Sequence, residues 1–137
     1  MEGICFIGPD RRGFSDEIDN VGDVVNLLAR LRALAGDGLV SSLSIIGDGV
    51  YLDVAEVGNS RVSLMYAASN GDWSFASIDP EIHDDDDASY WFLYHGDASE
   101  IPARMAIRED LAMLAVAQYL HHPEVMPQVD GFVWEQD

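Results

Sequence analysis

The residues with the clearest capacity for chemistry form the run His83–Asp87, "HDDDD". Carboxylate oxygens are ligands that a hard cation such as calcium accepts, and the imidazole is a ligand that suits a transition metal. The run lacks the spaced Asp/Asn pattern, the turn glycine and the terminal glutamate of a calcium loop. Adjacent aspartates also point in different directions, so a contiguous run is a poor source of several ligands for one ion. We therefore predict no metal site here.

The other groups that could do chemistry are isolated. His121 and His122 diverge by roughly 100° on a helix, so they do not easily share an ion. The sequence contains no His-Glu-x-x-His, no phosphate-binding glycine loop and no Gly-x-Ser-x-Gly. Cys5, the single cysteine, excludes an internal disulfide and lies among apolar residues, which favours a buried thiol. We expect no enzyme activity and no cofactor.

Charge is the strongest feature of the composition. The 137 residues include 25 acidic and 7 basic ones, and all seven basic residues are arginine, which gives a formal charge of −18. Nucleic acid and anionic membranes would repel such a protein. A basic protein partner would instead be attracted, and its association accelerated. Solubility alone is the alternative explanation.

The charge is unevenly distributed along the chain. Nine acidic residues and no basic residue lie between Arg61 and Arg104. Aromatic residues, which often anchor protein interfaces, occur on the predicted strands that flank the acidic loop 79–87. We predict a partner-binding surface formed by Trp73, Asp79, Glu81, Asp84, Asp85, Asp86, Asp87 and Trp91. The alternative is that these aromatics only pack the sheet and that the acidic loop is a solvated edge.

The helices and strands predicted from the sequence, which must position these residues, indicate an α+β fold. The length fits a single domain, residues 1–137. Apolar periodicity predicts helices within residues 19–38 and 100–122. Alternation and turn signals predict strands at 1–7, 39–46, 50–57, 60–68, 73–78, 89–96 and 132–134. The short connections favour an antiparallel meander of about five to seven strands, with two helices packed on one face.

No apolar segment approaches the roughly 18 to 20 residues that a membrane span needs. The N-terminal sequence "MEGICFIGPDRRG" has an acidic second residue and a short apolar run, unlike a signal peptide. We expect a cytoplasmic protein.

Three stretches resemble a known family. They are "GDGVYLDVAEV", "SRVSLMYAASNGDWSFAS" and "IPARMAIREDLAMLAVAQYLHHPEVMPQVDGFVWEQD". Over roughly residues 18–135 the chain resembles the small immunity proteins of bacterial polymorphic toxin systems. The similarity is to the α+β family that has a tryptophan near the C-terminus and is often encoded beside deaminase toxins, sometimes beside nucleases. Where that family usually has a glycine before the helix-ending proline, this chain has His121-His122.

The resemblance implies an inhibitor without turnover. Such a protein binds a cognate toxin domain, here a nucleic-acid deaminase or a nuclease, and covers or distorts its active site. The charge of −18 suits a basic active-site surface and favours a monomer in a 1:1 complex. The resemblance also implies that Trp134 belongs to the core. Two alternatives stay open: an acidic adaptor or nucleic-acid mimic that binds an unrelated basic protein, and a small hydrolase built from scattered carboxylates.

Overall fold

The computed structural model describes residues 1–7, 12–35, 40–58, 60–82, 89–94 and 97–136. Within these ranges the side chains of residues 6, 7, 12, 13, 35, 40, 41, 58, 89–94 and 97–99 are outside the description. The acidic tract Asp84–Asp87 therefore lies outside the described residues.

The described residues form ten strands and two α-helices. The strands are β1 (Glu2–Ile7), β2 (Arg12–Glu17), β3 (Val40–Ile46), β4 (Val50–Gly58), β5 (Arg61–Ala68), β6 (Ser74–Ile78), β7 (Ser89–Tyr94), β8 (Asp97–Pro102), β9 (Ala106–Arg108) and β10 (Val133–Gln136). The helices are α1 (Val21–Ala35) and α2 (Glu109–His121), and a 3₁₀ turn spans Ala103–Met105.

The main path of the sheet has the order β10-β6-β5-β4-β3-β1-β2, and every neighbouring pair along it is antiparallel. The predicted meander is the run β3-β4-β5-β6. The hairpin of β7 and β8 joins through a short parallel pairing of β7 with β3. β9 pairs with the beginning of β5, on the edge that β6 uses further along.

Both helices pack on one face of this sheet, as predicted. Alternate residues of β3, β4 and β5 point toward the helices because strand side chains alternate between faces. Leu43, Leu52 and Leu64 are buried there together with Leu28 of α1 and Val116 of α2. Asn20 caps the N-terminus of α1, because its side-chain oxygen accepts a hydrogen bond from the Asp23 N–H at 3.0 Å.

The Ser77 hydroxyl group bridges the junction between β6 and β9. Leu64 is the residue of β5 at which pairing passes from β6 to β9. Its N–H donates to Ser77 Oγ at 3.0 Å, and that hydroxyl donates to the Met105 carbonyl at 3.0 Å. Ser77 is fully buried, so this bridge satisfies backbone groups that water cannot reach.

The α+β class is confirmed, and the described strands outnumber the predicted five to seven. β2, β8 and β9 were not predicted from the sequence. Within the segment 100–122, Glu109 and Asp110 were expected in the first turn of the helix, and α2 does begin at Glu109; the residues before it are strands and a 3₁₀ turn. Pro102 disfavours a helical conformation at the residue before it, and the chain here pairs first with β7 and then with β5.

Candidate functional site

The structure separates the predicted contact residues. Trp73 immediately precedes β6, whereas Asp79 immediately follows it. At about 3.3 Å per residue these two positions are about 20 Å apart. The predicted surface is therefore divided between two opposite ends of the sheet.

We call the first of these the arginine end: Ser60–Arg61, Asp79–Ile82 and Arg108–Asp110. Here Arg61 Nη1 donates to Asp79 Oδ2 at 2.8 Å, and Asp79 is only 8% exposed. The other carboxylate oxygen of Asp79 accepts from the Glu81 N–H at 3.0 Å. Asp79 is thus used to fix the start of the acidic loop, while the Glu81 side chain faces solvent.

The other arginine side chains within the described ranges are also engaged inside the protein. Arg30 lies over the Phe14 ring, 4.1 Å from its centroid. The remaining three form ion pairs: Arg32–Glu56 at 2.6 Å, Arg104–Glu135 at 3.2 Å and Arg108–Asp110 at 2.5 Å. The hydrogen bonds that Arg108 donates to the Asp110 carboxylate raise the pKa of Arg108 and lower the pKa of Asp110. Because these arginines are already engaged, the excess negative charge of the protein lies on acidic residues that have no arginine partner among the described residues.

Two parts of the predicted surface fall wholly or partly outside the described residues. Asp84–Asp87 lie outside them entirely. The backbone of Trp91 lies in β7 opposite Glu100 of β8. The side chain of Trp91 is outside the described residues.

We call the opposite region the hairpin end: the β3–β4 turn at 47–49, the β5–β6 turn at 69–73, and residues 122–126. A hydrogen bond from the Ser69 N–H to the Gly49 carbonyl, 3.0 Å, joins the two turns. Gly71 closes the second turn at φ 83°, a conformation that glycine adopts readily. The exposed acids here are Asp48, Asp72 and Glu124, and none of them pairs with an arginine described by the structure.

Aromatic rings underlie the hairpin end. Tyr66 is buried at the centre, with its ring centroid 5.3 Å from that of Trp73, 6.0 Å from Tyr119 and 6.4 Å from Trp134. Trp73 is half-buried against this cluster. Trp134 also packs on the core, which agrees with the structural role expected for it. Trp73 therefore combines a packing role with a partly accessible ring.

Side chains tie the irregular segment 122–128 to the domain. Tyr66 Oη donates to the Pro123 carbonyl at 2.8 Å, and Trp134 Nε1 donates to the Pro127 carbonyl at 2.7 Å. The Gln118 amide both donates to the Gln128 carbonyl, 2.7 Å, and accepts from the Gln128 N–H, 2.9 Å. Between α2 and this segment lies a cleft of about 180 Å³, lined by Gln118, His121, His122, Val125 and Met126. We call it the α2 cleft.

A second, more open depression lies at the arginine end. Its volume is about 570 Å³, and its lining consists of Ser60, Arg108, Glu109, Asp110 and Met113. Ser60 has a positive φ of 58°, and its carbonyl accepts from the Glu109 N–H at the start of α2. The Arg108–Asp110 ion pair forms part of the lining.

Reactive groups are not assembled in the described part of the chain. Within it, no three His, Cys, Asp or Glu side chains come together as a metal site requires. Cys5 is fully buried, and burial raises the pKa of its thiol to about 11. The thiol is therefore protonated near neutral pH and a poor nucleophile. What the described surface offers is charge, half-buried aromatic rings and a small cleft, which are features of a binding protein.

Comparison with known families decides the class of protein. The family model "Immunity protein Imm1" matches residues 15–136, which is most of the chain. The chain belongs to the Imm1 family. No curated protein matches it. As an Imm1 protein it neutralises a toxin, and its partner is that toxin.

The resemblance to immunity proteins is thus confirmed. None of the described helices of this Imm1 protein is both long and apolar enough to cross a membrane. Sequence reasoning missed the α2 cleft and the ties that form its wall. The only sequence features that pointed to this cleft were Gln118 and the prolines at 123 and 127. None of them indicates which backbone groups form the hydrogen bonds.

Proposed function

We propose that the toxin neutralised by this Imm1 protein acts on nucleic acid, as a deaminase or a nuclease, and that the acidic surface covers the toxin's basic active-site surface. The observation that carries the proposal is the formal charge of −18 in a protein whose described arginine side chains are all engaged internally. An enzyme that binds nucleic acid needs a cationic surface, and a strongly acidic inhibitor is complementary to it.

We propose Glu81, Asp84, Asp85, Asp86, Asp87 and Trp91 as toxin contacts, and of these Glu81 lies at the arginine end. Asp79 supports them by fixing the start of the loop through Arg61 and the Glu81 N–H. At the hairpin end we propose Trp73, whose half-buried ring could anchor a partner. A standard interface buries about 800 Å² on each partner and is roughly 30 Å across, enough to reach both ends.

The first experiment is co-expression with the product of the neighbouring upstream gene, which we expect to be the toxin. We expect the cells to survive, a 1:1 complex to co-purify, and the toxin to deaminate or cleave nucleic acid when it is freed from the complex. A toxin that acts on another substrate would overturn the proposed chemistry while leaving membership of Imm1 intact.

The contribution of the acidic tract is tested by changing Asp84–Asp87 together to asparagine. We expect association with the inactivated toxin to slow by roughly tenfold and its salt dependence to flatten, because long-range attraction chiefly affects the on-rate. The control changes four ion-paired acids that lie elsewhere to their amides: Glu17, Glu56, Asp110 and Glu135. Equal effects of the two variants would show that net charge matters and the tract does not.

A further inference from the structure

We propose that the α2 cleft receives an arginine side chain of the toxin. The inference rests on the proposed function, because it assumes a partner with a basic surface. It adds a specific contact at the hairpin end, at the opposite end of the sheet from Asp79.

The size of the cleft favours one side chain over a small molecule. Sites for small molecules usually have volumes of about 300–1,000 Å³. The α2 cleft, at about 180 Å³, is smaller than that range and equals about six waters at the roughly 30 Å³ each occupies in the liquid. A long, thin side chain that enters from a partner fits these dimensions.

The walls of the cleft are suited to the stem of an arginine. Val125 and Met126 supply aliphatic surface, and Val125 is 60% exposed. Leu114, 55% exposed, lies one turn before Gln118 on the same side of α2 and extends this surface. Arginine buries its methylene groups along such surfaces and keeps its charge at the rim.

The rim supplies the charge for the guanidinium group. Glu124 is adjacent to Val125, its side chain is 68% exposed, and its described ionic neighbour is His122, with Nδ1 3.6 Å from Oε1. His122 competes for this carboxylate only when it is protonated. The rings of His121 and His122, 4.5 Å apart, offer flat surfaces on which a guanidinium can stack.

The cleft is also held in shape before any partner arrives. Four hydrogen bonds fix the segment that carries Val125: Tyr66, Trp134 and the Gln118 amide nitrogen donate three of them, and the Gln118 amide oxygen accepts the fourth. A preformed cleft binds a side chain without the entropic cost of first ordering its wall. The larger depression at the arginine end is a weaker candidate, because the protein's own Arg108–Asp110 pair forms part of its lining.

The decisive variant is Val125→Arg, tested as the purified protein against the catalytically inactivated toxin that the co-expression experiment identifies. The new arginine occupies the mouth of the cleft and repels a basic side chain, so we expect the dissociation constant to rise at least 100-fold. The matched control is Val25→Arg on α1, where Val25 is 42% exposed, and there we expect less than a threefold change. Circular dichroism and the urea midpoint verify that both variants fold.

A second variant, Glu124→Gln, identifies the occupant. We expect affinity to fall roughly tenfold and its salt dependence to weaken, because the carboxylate no longer pairs with the guanidinium. If Val125→Arg weakens binding but Glu124→Gln does not, the occupant is apolar and the proposal is wrong. If wild type and Val125→Arg bind the toxin equally, the cleft is not a contact although the proposed function stands. If wild type itself fails to bind, the proposed function fails.

Discussion

The two ends of the sheet use the same kinds of residue in opposite ways. At the arginine end, Arg61 and Arg108 neutralise Asp79 and Asp110 within the protein. At the hairpin end, Asp48, Asp72 and Glu124 face solvent, and none of them pairs with an arginine of the described chain. The comparison shows that the number of acids in a region does not measure the charge it presents. What a partner meets is the charge left after internal pairing.

The largest effect on stability is expected from Arg61→Ala at the arginine end. It leaves Asp79, 8% exposed, as a nearly buried carboxylate without its arginine. We expect the free energy of unfolding to fall by about 2–3 kcal/mol, at or below the range for fully buried pairs because Arg61 is partly accessible. Urea denaturation measures this, and a loss of less than about 1 kcal/mol would place the pair among ordinary surface ion pairs.

A matched pair of charge variants tests whether the unpaired acids of the hairpin end attract the toxin more than ion-paired acids do. One variant changes Asp48, Asp72 and Glu124 to amides, and the other changes Glu56, Asp110 and Glu135, so that each loses three acids. We expect the hairpin-end variant to slow toxin association roughly tenfold to thirtyfold at low salt, and the ion-paired variant to change it much less. Stopped-flow association at several salt concentrations separates the two. Indistinguishable rates would mean that internal pairing does not shape the attraction.

Tyr66→Phe tests how much the hydrogen bond of Tyr66 at the hairpin end contributes to the free energy of unfolding. It removes the hydrogen bond to the Pro123 carbonyl, and we expect a loss of about 1 kcal/mol. Burial and, secondarily, Glu124 raise the pKa of Tyr66, so its stabilising contribution is present below the unfolded value near 10 and declines at higher pH. The stability difference between wild type and variant should therefore shrink above pH 10. A constant difference up to pH 11 would contradict this.

The smallest effect on stability is expected from Asp110→Asn. The side chains of Arg108 and Asp110 are 63% and 62% exposed, and water screens such a pair. We expect no measurable shift in the urea midpoint, in contrast to Arg61→Ala at the same end. A clear loss would show that the start of α2 depends on the Asp110 carboxylate.

Much of the fold followed from local patterns in the sequence. The meander strands β3 to β6 and the two helices were predicted because alternation, turn glycines and helical periodicity are local signals. β9 was missed because its three residues become a strand only by pairing with Arg61–Ser63, far away in the chain. β2 was missed because "RGFSDE" is too polar for the alternation test and depends on its pairing with β1.

The candidate surface was harder to predict than the fold. The separation of Trp73 from Asp79 was foreseeable, since a predicted strand of six residues implies the distance between its ends. The burial of Asp79 was not, because its arginine comes from a neighbouring strand through tertiary pairing. The α2 cleft depends on which carbonyls Tyr66, Gln118 and Trp134 reach, and no local pattern in the sequence encodes these contacts.

The tied segment 122–128 has a consequence for how this lineage can change. Its position depends on the side chains of Tyr66, Gln118 and Trp134 and on backbone groups of the segment itself. The side chains of Glu124 and Val125 take no part in these ties. Substitutions at those two positions can therefore alter the proposed toxin contact while the scaffold stays intact. When the contact surface of the toxin changes by mutation, single substitutions at these positions can restore binding, and each intermediate variant of the inhibitor remains folded.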